Sequence, residues 1–129
     1  MPTSAGLNQY HLIGFAPITD VDRAKEFYRD KLGLTLVEEQ HPFALVFDAN
    51  GTMLRLTMLK EFKPFPFTIL GWQVPDIVVV AKALATAGIQ CERYGHFKQD
   101  EHGIWSAPGG AKVAWFKDPD GNVLSISQH

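Results

Sequence analysis

The sequence predicts an α+β fold in which one β-α-β-β-β unit occurs twice. Asp20 and Asp76 stand at equivalent places, each between an apolar strand pattern and a helical pattern. Residues 50–54 (Asn-Gly-Thr-Met-Leu) likewise match residues 120–124 (Asp-Gly-Asn-Val-Leu). Self-similarity in the same order along both halves indicates two copies of one structural unit. We therefore treat residues 1–129 as a single domain with an internal repeat.

The first unit is predicted over about residues 8–59. Its helix begins after Thr19 or Asp20, either of which can cap it, and stops at Gly33, which suits a left-handed backbone. The helix has the apolar spacing of one buried face. That face comprises Ala24, Phe27, Tyr28 and Leu32. Strands are expected at residues 10–17, 34–39, 43–48 and 52–59.

The second unit is predicted over about residues 67–128. Residues 78–80 are three consecutive valines, which locally favour a strand. We still predict a helix between Asp76 and Gly88, because an aspartate cap, good helix formers and a glycine stop frame the segment. Strands are expected at residues 67–74, 89–94, 112–116 and 122–127. Residues 60–66 connect the units, since their prolines interrupt regular ladders.

The net charge, the lengths of the apolar runs and the cysteine count exclude several classes of function. A formal net charge of −2 gives no electrostatic signature of nucleic-acid binding. No apolar run approaches the roughly 20 residues of a membrane helix. The one cysteine, Cys91, excludes an internal disulfide. We expect a cytoplasmic protein with a small-molecule ligand and with neither a nucleic acid nor a membrane as its partner.

The turn at residues 118–122 (Asp-Pro-Asp-Gly-Asn) precedes an alternating strand pattern that begins at Val123. Together with Phe27-Tyr28 and Leu32-Gly33-Leu34, it resembles the vicinal oxygen chelate superfamily, which includes glyoxalases, bleomycin-resistance proteins and extradiol dioxygenases. The resemblance implies two β-α-β-β-β modules forming a curved mixed sheet around a cleft. It also implies a homodimer, in which the modules are exchanged between subunits or are not.

Side chains alternate along a strand, so each predicted strand divides its residues between two faces. One face is expected to seat the helices: Leu12, Gly14, Leu54, Leu56, Leu70, Trp72, Leu124 and Ile126. The other face mixes apolar and hydrogen-bonding groups, which suits a pocket wall, a solvent-washed surface or a subunit contact. It comprises His11, Ile13, Phe15, Met53, Arg55, Thr57, Ile69, Gly71, Gln73, Val123, Ser125 and Ser127.

The resemblance also implies where metal ligands would stand, in the first and last strands of each module. Those positions are Ile13, Arg55, Ile69 and Ser125, and the metal enzymes of the superfamily usually carry a glutamate in place of Ser125. Isoleucine has no donor atom, and arginine is a fixed cation without an acceptor. Serine alone is a poor ligand for zinc, iron, nickel or manganese. We predict no metal site of this type and no cofactor.

Arg55 is then the most informative side chain of the predicted cleft. Its guanidinium either binds an anionic group of a ligand, or pairs with an internal acid or reaches solvent at the rim. His11 has either a hydrogen-bonding or proton-transfer role or none, as a residue at a strand entrance. Trp105 either stacks on a planar ligand or anchors its own loop. The candidate ligand-binding residues are Arg55, His11, Phe15, Gln73, Trp105 and Ser125.

Two aromatic residues near the end of the chain, Trp115 and Phe116, are expected in the core or in a subunit interface. Asp118 and Asp120 are expected to shape a turn. No catalytic residue can be named. We predict a protein that binds a small neutral or anionic ligand near Arg55. The alternatives are a lyase- or dioxygenase-like enzyme, metal-free or with relocated ligands, and a partner protein whose concave surface is an interface.

Overall fold

Two four-stranded mixed sheets, each associated with one helix, form the structure. The computed structural model describes residues 4–129. The first sheet contains β1 (Ile13–Ile18), β2 (Thr35–Gln40), β3 (Ala44–Ala49) and β4 (Thr52–Met58). The second contains β5 (Thr68–Gln73), β6 (Trp105–Ser106), β7 (Lys112–Lys117) and β8 (Val123–Gln128). A short 3-10 helix (Leu7–Gln9) precedes β1, and the longer helices are α1 (Val21–Lys25), which continues as a π-helical segment (Glu26–Lys31), and α2 (Ile77–Thr86). The predicted α+β class is confirmed.

The two sheets have the same topology, with strand orders β1-β4-β3-β2 and β5-β8-β7-β6. In each, the first strand pairs in parallel with the last. Phe15 lies opposite Arg55 in the first sheet, and Gly71 lies opposite Ser125 in the second. The sequence alignment of the two units, which equates Arg55 with Ser125, is therefore confirmed by the strand register.

Both helices begin at the aspartates that the repeat places there. Asp20 Oδ1 accepts a hydrogen bond from the Arg23 amide at 3.0 Å, and Asp76 Oδ1 accepts one from the Val79 amide at 3.3 Å. These side chains satisfy amide groups that have no partner within the helix. The valine run does not prevent α2 from forming. One face of this helix is buried at Ile77, Ala81 and Leu84, so tertiary packing outweighs the local strand preference.

The predicted strand at residues 89–94 is wrong. The Glu92 amide donates one ladder-like hydrogen bond to the Trp115 carbonyl at 2.7 Å, but the segment continues as irregular backbone. The Gln99 side chain explains this. Its Nε2 donates a hydrogen bond to the Glu92 carbonyl, and its Oε1 accepts one from the Tyr94 N–H, both at 2.8 Å. Backbone groups that a strand would pair are satisfied locally. The short β6 takes the edge of the sheet instead.

One hydrophobic core joins the helix-covered faces of the two sheets. The rings of Phe27 from the first unit and Phe116 from the second lie 6.5 Å apart. Next to them, the Tyr28 hydroxyl donates a hydrogen bond of 2.6 Å to Asp118 Oδ2, and both residues are buried. Burial, reinforced by the negative charge of Asp118, raises the pKa of Tyr28 far above its ordinary value. Tyr28 is therefore the hydrogen-bond donor throughout the physiological range.

The turn between β7 and β8 is fixed by the same carboxylate. Asp118 accepts hydrogen bonds from the amide of Asp120 and from the amide and side chain of Asn122. Asn122 also donates to the Pro17 carbonyl at 2.9 Å, and Asp120 accepts hydrogen bonds from Thr19. Asp118 and Asp120 thus shape the turn as expected, and they also fasten it to the first unit.

Across residues 4–129, no helix is long and apolar enough to cross a membrane.

We expect Tyr28→Phe to lower the free energy of unfolding by about 1–3 kcal/mol, because it leaves the buried Asp118 carboxylate without one of its donors. Urea titration followed by circular dichroism measures the loss. Tyr10→Phe is the matched control, since Tyr10 is 70% exposed. Equal stability of the two variants would contradict a fastening role for the Tyr28 hydroxyl.

Candidate ligand site on the open sheet faces

The face of each sheet that turns away from the shared core is called its open face here. Leu54, Leu56, Leu124 and Ile126 are buried in the core as predicted. Leu12 was also assigned to the core, and this is wrong, since it precedes β1 and is 78% exposed. The open face of the first sheet carries apolar side chains that are exposed to solvent. They are Ile13, Phe15 and Met53.

The predicted position of Ile69 on the open face is also wrong. Thr68 pairs with Val123 and Leu70 pairs with Leu124, so Ile69 is an extra residue in a β-bulge. A bulge shifts the alternation of side chains, and Ile69 packs against the core. Thr68 takes the vacated place, next to Val123 in the wall of a pocket.

The corrected register does not create a metal site of the kind that the superfamily resemblance implies. The four positions are now held by Ile13, Arg55, Thr68 and Ser125. Two hydroxyls and a fixed cation lack the imidazole and carboxylate donors that zinc, iron, nickel and manganese favour. Within residues 4–129, His, Cys, Asp and Glu side chains form no group of three that could hold a metal ion. The residues at these positions do not fit a divalent cation.

Arg55 lies half-buried on the open face of the first sheet. Its neighbours across the ladders are Phe15 in β1 and the buried Val46 in β3. Arg55 Nη2 donates a hydrogen bond of 2.6 Å to Gln40 Oε1, and the Gln40 amide in turn donates to Glu38. The internal partner of Arg55 is therefore an amide, and among residues 4–129 no carboxylate lies within ion-pair distance of it.

This arrangement orients the guanidinium without neutralising it. A neutral amide acceptor fixes one nitrogen of Arg55, and the remaining N–H donors stay available for a planar anionic group. The surrounding Phe15 and Val46 exclude part of the water that would otherwise screen the charge. The geometry of these donors matches that of a carboxylate, phosphate or phenolate.

A cluster of aromatic rings lies on the open face of the second sheet. Trp115 is opposite Ser125 in the β7–β8 ladder. The ring of Phe97 stacks on that of Trp115, with centroids 5.3 Å apart and planes 6° apart. The ring centroids of Trp105 and Phe97 lie 4.5 Å apart. The ring of Tyr94 meets that of Trp115 edge-on, with centroids 5.6 Å apart. The cluster borders a pocket of about 510 Å³, lined by Pro66, Phe67, Thr68, Tyr94, His96, Phe97, Trp115 and Val123.

Trp115 was expected in the core or in a subunit interface, and its place in this aromatic cluster was not predicted. The strand alternation contained the signal, because Trp115 and Phe116 must point to opposite faces and Phe116 belongs to the core. Tyr94 and Phe97 gave no periodic signal, since they belong to irregular backbone. Trp105 packs within the cluster, in keeping with the interpretation that it anchors its loop.

The structure brings some of the candidate residues together and separates others. Phe15 and Arg55 are neighbours in the first sheet, whereas Ser125 and Trp105 belong to the second. Gln73 is exposed at the end of β5, opposite Ser127. His11 is exposed ahead of β1, and neither it nor Gln73 contributes to the Arg55 network or the aromatic cluster.

The two β-α-β-β-β units define the fold class, and comparison with known proteins gives the family. The chain belongs to the glyoxalase/bleomycin resistance protein/dioxygenase superfamily, whose family model matches residues 9–126. It is 30% identical to the uncharacterized protein YraH of Bacillus subtilis (strain 168), over 84% of this chain and 90% of YraH.

Solved structures show the same fold. A glyoxalase/bleomycin resistance protein/dioxygenase from Alicyclobacillus acidocaldarius has a TM-score of 0.67 at 22% identity, covering 93% of this chain and 89% of that one. A lactoylglutathione lyase from Agrobacterium tumefaciens has a TM-score of 0.67 at 19% identity, covering 91% and 92%. At this level of identity the likeness concerns the fold and not the reaction.

The pairing of Gly71 with Ser125 yields a prediction about the open face of the second sheet. A Cβ atom on Gly71 would lie 2.8 Å from Ser125 Oγ, so we expect Gly71→Ala to cost about 1–2 kcal/mol of unfolding free energy. Ser125→Ala in the same chain should recover most of that cost, as a double-mutant cycle by urea denaturation would show. Gly14→Ala is the control, because a Cβ atom on Gly14 would lie an ordinary 3.5 Å from the side chain of Leu54, its ladder partner. Additive costs at Gly71 and Ser125 would contradict the contact.

Proposed function

We propose that this protein binds a small neutral or anionic ligand on its open sheet faces, with Arg55 as the anchor for a negatively charged group. One observation carries the proposal. Arg55 is a half-buried cation that is oriented by an amide and has no carboxylate at ion-pair distance within residues 4–129. Holding a charge in partly apolar surroundings costs free energy, and an anionic ligand offsets that cost.

The second sheet supports a planar part of the ligand. Trp115 and Phe97 present aromatic surface at the wall of the 510 Å³ pocket, and Thr68, Tyr94 and His96 add hydrogen-bonding groups. A few polar groups among apolar ones are typical of ligand pockets. Phe15 and Ser125 belong to the same proposed site, whereas His11, Gln73 and Trp105 have peripheral parts in it.

We further propose that the site is completed in a homodimer. Ile13, Phe15 and Met53 are large apolar side chains exposed together on the open face of one sheet, an arrangement that favours a covering surface. A second copy of the chain supplies this covering surface, because the open face of its second sheet carries the aromatic cluster.

We also propose a cytoplasmic location for the protein. Burial raises the pKa of the single, half-buried Cys91 thiol, so the thiol is poorly reactive, and a free thiol of this kind suits the reducing cytoplasm.

The anion-binding part of the proposal predicts the behaviour of benzoate and its neutral analogue benzamide. Arg55→Met should weaken benzoate binding by about 10- to 100-fold, because a charge-assisted hydrogen bond is lost, and should change benzamide binding by less than about threefold. Isothermal titration measures both affinities. Arg29→Met is the control, since Arg29 is exposed on the π-helical segment and pairs with Asp30. Unchanged benzoate affinity in Arg55→Met, or no binding of benzoate to the wild-type protein, would contradict this role.

The proposed homodimer is tested by light scattering coupled to size-exclusion chromatography. Ile13→Asp places a charge in the proposed interface, so we expect the dissociation constant of its dimer to be roughly tenfold or more above that of the wild-type dimer. Val79→Asp also replaces an exposed β-branched residue, on the outer surface of α2, and should leave the dimer intact. A wild-type protein that is monomeric at roughly 100 µM would rule out the homodimer as the working form.

A further inference from the structure

An apolar cavity of about 250 Å³ lies between the two units, on the helix side of the sheets. Phe116 and Ile126 form part of its wall and belong to the shared core, so the cavity opens away from the faces that carry Arg55 and Ser125. The first unit contributes Leu32, Leu34, Ala49 and Asn50. The second contributes Trp72, Val74, Val80, Leu84, Phe116 and Ile126.

The lining restricts the chemistry of an occupant. Every side chain of the wall is apolar except the amide of Asn50, in the turn between β3 and β4, and the indole N–H of Trp72. A charged molecule would lose its hydration here without gaining a counter-ion. An apolar cavity of about 150 Å³ accepts benzene in another protein, so 250 Å³ has room for two fused rings.

The valine run of α2 contributes to both the core and the cavity, since Val78 and Val80 pack against the core and Val80 also lines the cavity. Valine is less favourable than alanine in a helix by roughly 0.5 kcal/mol, and α2 has three in succession at Val78, Val79 and Val80. Val80, Trp72 and Val74 are all partly exposed, and all three contribute to the cavity wall. An occupant that covers these side chains gives the apolar surface a favourable contact.

The surroundings of the cavity favour a small molecule over a protein partner. Twelve large apolar side chains are exposed within residues 4–129, and none of them lines the cavity. A stable protein interface buries about 800 Å² on each side with an apolar centre, and the cavity wall supplies no exposed large apolar side chain for such a centre. A concave, ring-sized cavity between two units is instead the usual setting of a small-ligand site.

We propose that this cavity is a second ligand site, which binds a small uncharged compound of one or two aromatic or alicyclic rings. The site is separate from the open faces and does not depend on the ligand proposed for Arg55. Its occupant contacts both units at once, through Leu34 on one side and Trp72 and Val80 on the other. Binding therefore stabilises the packing of the two units against each other.

The test uses 1-fluoronaphthalene and fluorobenzene as probes, with fluorine NMR to follow binding to the intact protein. Carbon-resolved methyl spectra of the wild-type protein show where the probes bind. We expect saturable binding with a dissociation constant below roughly 1 mM, and shifts at the methyl groups of Leu34, Val74 and Val80. Val80→Phe fills the cavity and should weaken binding about tenfold or more. Val79→Phe is the same change at the adjacent, exposed position and should alter affinity by less than about twofold.

Thermal unfolding of each variant shows whether it folds. If Val80→Phe does not, Leu34→Phe fills the cavity from the other unit and serves as the same test. Three results would overturn the proposal: no saturable binding of either probe, equal weakening by Val79→Phe and Val80→Phe, or methyl shifts confined to Val113 and Val123 of the second sheet. The last result would assign the probes to the open faces instead.

Discussion

A single buried carboxylate, that of Asp118, holds the two halves of this protein in register. It accepts a hydrogen bond from Tyr28 of the first unit and three from the turn that leads into β8. A buried charge without partners would cost several kcal/mol, and these four hydrogen bonds offset that cost. The same turn positions β8, and with it Ser125 on the open face. Next to the Tyr28–Asp118 hydrogen bond, Phe27 of the first unit packs against Phe116 of the second.

The fold was largely predictable because its signals are local and repeated. Two aspartate caps, two glycine stops and two matching turn segments define the units, and the resulting alignment correctly set Arg55 and Ser125 at equivalent ladder positions. The errors arose where local bonding replaces regular pairing. A bulge turned Ile69 into the core, and the Gln99 side chain satisfied the backbone that was expected to form a strand. Neither event has a periodic signature in one sequence.

The candidate site was predictable only in part, for a related reason. Alternation placed Arg55 and Phe15 on one face correctly, since both lie in regular strands. Gln40, the amide that orients Arg55, comes from the far end of β2, and only the three-dimensional pairing of β2, β3 and β4 brings it close. The aromatic cluster combines Trp115 from a strand with Tyr94 and Phe97 from irregular backbone. Side-chain contacts of this kind depend on tertiary packing, which residue patterns do not encode locally.

Within its superfamily, this chain has a guanidinium and hydroxyls where the resemblance implies metal ligands, and the proposed anion site depends on that replacement. Metal content measures it most directly. The protein is incubated with iron, manganese, nickel and zinc, dialysed, and analysed by plasma mass spectrometry. Because the open faces lack imidazole and carboxylate donors at those positions, each metal should remain below about a tenth of an equivalent. Retention of about one equivalent of a single metal would contradict the account and would make this protein a metalloprotein with relocated ligands.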